Sequence, residues 1–327
     1  MMSDALTPSP SPSVRDDSLT PSPSPIGRDD ALTPSPSPIG RGEPDNRINF
    51  RDRLVVIATM HRKELAIAPI LQTSLGVRVT VPQDFDSDLF GTFTRDIERP
   101  TNQIETAKIK AEKALELIDA DLAIASEGSF FPHPMLGVPF NREVVCLLDQ
   151  KHNFSVYGEF LSTDTNFLHQ KISSYEQAYE FALKVGFPDH AIVLMLNAKT
   201  SAKEAIHKGI NSEELLKESV HKLLNQSPQI HIETDMRSLY NPTRMKNITK
   251  ATEDLVRKLQ QLCPKCNFVN FDIVDRIKGL PCELCGLPTK STRAHIYRCD
   301  RCQFQQEVLF PDQVQFADPM YCSYCNP

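Results

Sequence analysis

Four Cys-x-x-Cys pairs dominate the last fifth of this 327-residue chain: Cys263/Cys266, Cys282/Cys285, Cys299/Cys302 and Cys322/Cys325. They are separated by 15, 13 and 19 residues. Two such pairs supply the four thiolates of a closed tetrahedral site, and a soft all-sulfur donor set favours zinc. Eight paired cysteines therefore predict two structural Zn2+ ions, whose binding energy substitutes for the small core that residues 261–327 can build. Gly286, directly after its pair, permits the backbone turn that aims N–H groups at sulfur. Three pairings are open. Sequential pairing, the first expectation, gives two zinc ribbons. Nested pairing gives one ribbon within another, and crossed pairing gives a RING-like brace. The ninth cysteine, Cys146, sits in the apolar run Val144-Val145-Cys146-Leu147 and is read as a small buried apolar residue.

Paired spacing without a secretory leader points to metal thiolates in a reducing, cytoplasmic setting rather than to disulfides. No apolar run approaches the ~20 residues that cross a bilayer, so no membrane role is expected. The net charge is −6, which gives the whole molecule no polyanion-binding character. Locally, Thr243 to Cys302 carries 12 Lys and Arg against 6 Asp and Glu. That excess fits nucleic acid or protein contact through the zinc module, and equally a solvated helix face.

Residues 1–46 are a different material. A 13-residue Pro/Ser-rich unit recurs at Ala5-Leu6-Thr7-Pro8, Ser18-Leu19-Thr20-Pro21 and Ala31-Leu32-Thr33-Pro34. It has no apolar surface to bury and is expected to be disordered, in the manner of translated repetitive DNA. Between the tail and the cysteines, residues 50–260 alternate strand and helix signals. Strands are expected at 54–58, 77–81, 121–125, 143–148, 154–161, 191–196 and 229–234. Helices are expected at 64–75, 102–118, 175–185, 212–224 and 243–262. The 64–75 helix is expected to turn Leu65, Ala68, Leu71 and Leu75 inward. This reads as an α/β domain with a mixed sheet flanked by helices.

Four polar clusters fall at strand ends, where helix N-termini favour anions. The first is Thr59-Met60-His61-Arg62-Lys63-Glu64, which offers Thr59, His61, Arg62 and Lys63. The second is Glu105 to Ala111, with Glu105 and Lys110; here Asn102 three residues before Glu105 also reads as a helix cap. The third is Ser126-Glu127-Gly128-Ser129, expected in a Gly-rich loop after the strand, followed by a rigid turn with His133. The fourth runs Glu233-Thr234-Asp235-Met236-Arg237 to Asn241-Pro242-Thr243-Arg244, with Arg237, Asn241 and Arg244 as candidate phosphate or carboxylate binders. An ion-pair network holding the next helix is the other reading of this last cluster. If the clusters share one sheet edge, they make one ligand site.

Two resemblances attach to these residues. Ala58-Thr59-Met60-His61, Lys63-Glu64, Ala125-Ser126-Glu127-Gly128-Ser129-Phe130 and Gly279-Leu280-Pro281-Cys282 resemble an uncharacterised, often cyanobacterial, domain-of-unknown-function family, which brings no activity. Over residues 54–145, Lys63, Glu105-x-Ala107-x-x-Lys110 and Glu127-Gly128 are similar to the inosine/xanthosine triphosphate pyrophosphatases and Maf-like nucleotide hydrolases. That likeness implies Lys63 and Lys110 on phosphate, with Glu105 and Glu127 as Mg2+ ligands or base; His61 is a further candidate for the chemistry, outside what the likeness implies. The chain departs from that pattern at His61 and at Ser126-Glu127. The resulting expectation is a Mg2+-dependent hydrolase of nucleotides or another phosphorylated small molecule. The alternative is a non-catalytic ligand sensor that acts through its zinc ribbons.

Overall fold

The computed structural model describes residues 47–91, 101–132, 137–198, 200 and 205–327. The Pro/Ser repeats and His133 lie outside the described residues. The first sheet has the order β2-β1-β3-β4-β5. Its strands are β1 (Leu54–Ala58), β2 (Arg78–Thr80), β3 (Leu122–Pro132), β4 (Pro139–Asp149) and β5 (Phe154–Ser162). β2 and β3 run parallel to β1, and β3, β4 and β5 form an antiparallel meander, so the sheet is mixed as expected.

Period-two alternation divides this sheet into two packed faces. Val55, Ile57, Leu122, Ile124, Val145 and Leu147 meet α1 (Glu64–Leu75) and α5 (Pro242–Gln260). Val56, Ala58, Ala123, Ala125 and Cys146 meet α2 (Gln103–Leu115) through Ala107, Ala111 and Ala114. Small residues on both sides bring α2 close to the strands. Burial pushes the Cys146 thiol up to about 12, in keeping with a packing role.

A second, wholly antiparallel sheet follows in the order β6-β9-β7-β8. Its strands are β6 (His169–Ile172), β7 (Ile192–Met195), β8 (Ile206–Ile210) and β9 (Ile230–Thr234). One face carries Ile172, Ile192, Leu194, Ile230 and Ile232 and is covered by α3 (Tyr175–Lys184) and α4 (Glu213–Leu224). β6 and β8 had no signal in the sequence, because each has a polar or glycine interior between single apolar residues.

Two expectations are corrected. β3 does not stop at Ala125. It continues to Pro132, paired throughout with β4, so Glu127 and Gly128 are strand residues, not loop residues. In α1 the buried residues are Ala66, Ile67 and Leu71, while Leu65 is largely exposed. The helix is phased by Lys63, Ile67 and Leu71 on one stripe four residues apart. Reading lysine as an outward residue hides that phase.

The Cys-rich segment forms a three-stranded antiparallel sheet of β10 (Asp272–Lys278), β11 (Thr292–Arg298) and β12 (Gln305–Leu309). Its first half is not a separate body. Cys263, Phe268, Val269, Phe271 and Cys299 belong to the same core as α1, α5 and the first sheet.

Candidate functional site

The cysteines form two clusters, Cys263/Cys266/Cys299/Cys302 and Cys282/Cys285/Cys322/Cys325. Sequential pairing is thereby overturned and the arrangement is crossed. The reason is the β10–β11 hairpin. Asp272 pairs with Arg298 and Lys278 with Thr292, so the first knuckle lies at the end of the hairpin where the third begins. The seven residues of β10 hold the second knuckle ~23 Å away, by strand rise alone. The chain after β12 returns to the second knuckle, where Ala317 bonds to Pro281 and Glu283.

Neighbouring sulfurs stand 3.6–3.9 Å apart. That is far beyond a disulfide. It matches the edge of a tetrahedron with ~2.3 Å metal–sulfur bonds, about 3.8 Å. The donor set fits zinc. Each knuckle closes by an N–H to C=O bond between the residue after the second cysteine and the first cysteine: Asn267 to Cys263, Gly286 to Cys282, Gln303 to Cys299 and Asn326 to Cys322. Asn267 and Gln303 take the same left-handed backbone as Gly286.

A cleft of about 300 Å3 opens where the first sheet meets the second. Among the described residues, five cationic side chains line it: Lys63, Lys110, Lys208, Arg237 and Arg244. His61, Asp88, Glu127, Glu233 and Asp235 line it as well, with Phe130 and Phe167 as its aromatic wall. Lys63 is buried at the N-terminus of α1, and its ammonium donates to the Ser126 carbonyl at 2.9 Å. Burial, together with the charges of Arg244 and Lys110, lowers it to about 7, against the pull of Glu127 and Glu143. Lys110 is ion-paired with Glu127. Arg244, 2% exposed, donates from Nε to Glu143 at 2.7 Å and from Nη1 to the Met236 carbonyl at 2.6 Å. Gly128 makes that pair possible, since a Cβ there would fall 2.5 Å from Arg244 Nη2 and 2.6 Å from Glu143 Oε1. Arg237 is held bidentate by Asp235, with Nη2 2.7 Å from Oδ2, and stacks over Tyr240.

His61 is 8% exposed, and its Nε2 lies 2.9 Å from Asp88 Oδ1. Burial holds the imidazole below its ordinary value despite Asp88, and Lys63 and Arg237 push the same way. For Asp88, burial is outweighed by the His61 hydrogen bond and by the charges of His61, Lys208 and Arg237, so its carboxyl titrates below the usual range.

The expected site residues separate into two groups. His61, Lys63, Lys110, Glu127, Arg237 and Arg244 share the cleft. Thr59, Arg62, Glu105 and Asn241 do not. The Thr59 hydroxyl accepts from the N–H groups of His61 and Lys63 and so shapes the turn. Arg62 is exposed with a positive φ of 57°. Asn241 caps α5 by accepting from the Arg244 N–H, and its amide donates to Asn166. Glu105 is exposed in the first turn of α2, where the Asn102 side chain caps its N–H at 3.0 Å. The Asn102 half of the expected cap is formed, and among the described residues Glu105 and Glu127 are not brought together as a metal site. Sequence reasoning missed Asp88, although the Asp84-x-Asp86-x-Asp88 run marked an acidic turn, and Lys208, because β8 went unrecognised.

Comparison with known proteins adds a family. The family described as Domain of unknown function (DUF6671) matches residues 110–327, two-thirds of the chain. The chain belongs to it. The match takes in Glu127, Arg237, Arg244 and both cysteine clusters. No curated protein matches, so the likeness to nucleotide pyrophosphatases gains no support. Among the described residues, no helix is long and apolar enough to cross a membrane.

Proposed function

We propose that the cleft binds a small phosphorylated molecule and that hydrolysis of its phosphate is the reaction of this α/β unit. One observation carries the reading: five cations converge on one cleft, and Lys63 is buried beside two like charges. Burial and these like-charged neighbours disfavour the Lys63 ammonium, and a multivalent anion in the cleft would favour it. A resident Mg2+ fits the residues poorly. Glu127 is bonded to Lys110, Asp235 to Arg237, Asp88 to His61 and Glu233 to His231. Among the described residues, only the cysteines bring three metal-ligating groups together. No metal-dependent step is therefore derived.

The test is calorimetric titration with pyrophosphate and with nucleoside mono-, di- and triphosphates. Lys63→Met is expected to lower affinity at least tenfold. Absence of binding by every phosphate at low salt would refute the reading.

We propose that the two cysteine clusters hold Zn2+ as structural ions and that the chain works in a reducing cytoplasm, a reading that paired, unoxidised thiols support. Nucleic-acid contact draws no support from charge, since residues 261–327 carry seven Lys and Arg against seven Asp and Glu. The second cluster favours a protein contact instead: Leu284 and Tyr324, inside its two knuckles, are each 74% exposed.

A further inference from the structure

We propose that His61, oriented by Asp88, is the proton acceptor that activates water in the cleft. This rests on the reading of the cleft as a phosphate site, and it names what replaces a metal in the chemistry. An ionised carboxylate only accepts hydrogen bonds, so Asp88 Oδ1 at 2.9 Å requires a proton on His61 Nε2. The neutral ring then has its lone pair on Nδ1. Nδ1 has no hydrogen-bond partner among the described residues, although the side chain is only 10% exposed and lines the cleft. An acid fixing one nitrogen while the other is left open to a reactant is the geometry of a general base with its orienting partner.

The ring is held on both sides of its own backbone. The His61 N–H donates to the Thr59 hydroxyl at 3.1 Å, and the His61 carbonyl accepts from the Ser238 hydroxyl at 2.9 Å. Ser238 comes from the segment between β9 and α5, so the second sheet's connection and the turn after β1 lock this side chain together. The charged groups acting on the ring are Asp88 from the turn Ser87–Phe90, Lys63 from the start of α1 and Arg237 from the segment after β9. Two of the three are cations, which favour the neutral, proton-accepting ring until an anion enters.

A water O–H bond breaks and its proton goes to His61 Nδ1. The water oxygen forms a bond to phosphorus, and the P–O bond to the leaving group breaks with its electron pair on the leaving oxygen. The imidazolium then gives its proton to that oxygen or to solvent. Lys63, Lys110 and Arg244 balance the phosphate charge throughout.

The test uses the full chain labelled with 15N-histidine, and His61→Gln assigns the His61 signals among the nine histidines. The expected spectrum at neutral pH shows His61 with a protonated Nε2 and an unprotonated Nδ1. Asp88→Asn should lower that tautomer's share, and added pyrophosphate should move the His61 titration to higher pH. The wild-type measurement stands by itself if Asp88→Asn does not fold. A pyrophosphate that binds by calorimetry while His61 carries its proton on Nδ1, or does not shift, overturns this inference alone. A pyrophosphate that does not bind overturns the phosphate site on which it rests.

Discussion

Anion binding should draw a proton into the cleft, and Lys63 sets the amount. In the free protein this lysine titrates at about 7, lowered from 10.5 by burial and by Arg244 and Lys110. At about pH 8 roughly one molecule in ten then carries the ammonium charge. A sulfate dianion, whose own charge is constant in this range, favours the charged form and raises Lys63 toward its ordinary value. Binding at that pH should take up close to one proton per sulfate, and about half a proton if Lys63 titrates one unit higher. His61, held below its ordinary range, contributes little there. The assay is calorimetry in Tris and in HEPES, whose ionisation enthalpies differ widely. The observed heats should differ by that enthalpy gap times the protons taken up. Affinity should fall by up to tenfold per pH unit above about pH 7, since the free cleft must first be protonated. Lys63→Met should abolish the buffer difference and weaken binding. Binding with equal heats in the two buffers and a flat pH profile would refute the account of Lys63. The sign for folding is opposite. Between about 7 and 10.5 the unfolded chain binds more protons at this residue than the folded one, so Lys63 makes stability rise with pH across that window.

Three further outcomes test the framework of the site. Arg244→Leu should destabilise the fold by about 3–5 kcal/mol in urea titrations at fixed Zn2+, because Glu143 remains buried without its cation. Glu143→Leu combined with it should recover part of that loss, and an equal or larger loss in the double variant would argue against a coupled pair. Gly158→Ala should destabilise by at least ~2 kcal/mol, since its Cβ would meet the α5 backbone at Ala251 O and Leu255 N, 2.2 Å away, where no side chain can yield. An unchanged denaturation midpoint would contradict the packing of β5 on α5. Cys263→Ser should lower the unfolding temperature far more than Cys325→Ser, because only the first cluster belongs to the main core. Equal losses would show that the two metal sites support the fold alike.

The sequence alone determined the chemistry-bearing residue types and most of the helices and strands. The Cys-x-x-Cys spacing pointed to eight candidate metal ligands in two clusters, since soft paired thiolates have few other uses in one chain. Apolar periodicity located the first sheet and the five α-helices of the described residues, because each buries one continuous stripe. The polar clusters around Lys63, Glu127 and Arg244 were legible as candidates for one shared cleft, since polar residues at strand ends have little to bury. Tertiary structure decided the rest. The pairing of the knuckles depends on how β10 and β11 align, a long-range register that residue spacing does not encode. Glu105 and Glu127 lie 22 positions apart with similar local signals, yet one stands exposed in the first turn of α2, its N–H capped by Asn102, and the other pairs with Lys110 in the cleft. The phase of α1 was hidden because a buried lysine looks exposed until its neighbours are known. His61 gained its proposed role only when the chain brought Asp88 to one nitrogen and left the other without a partner.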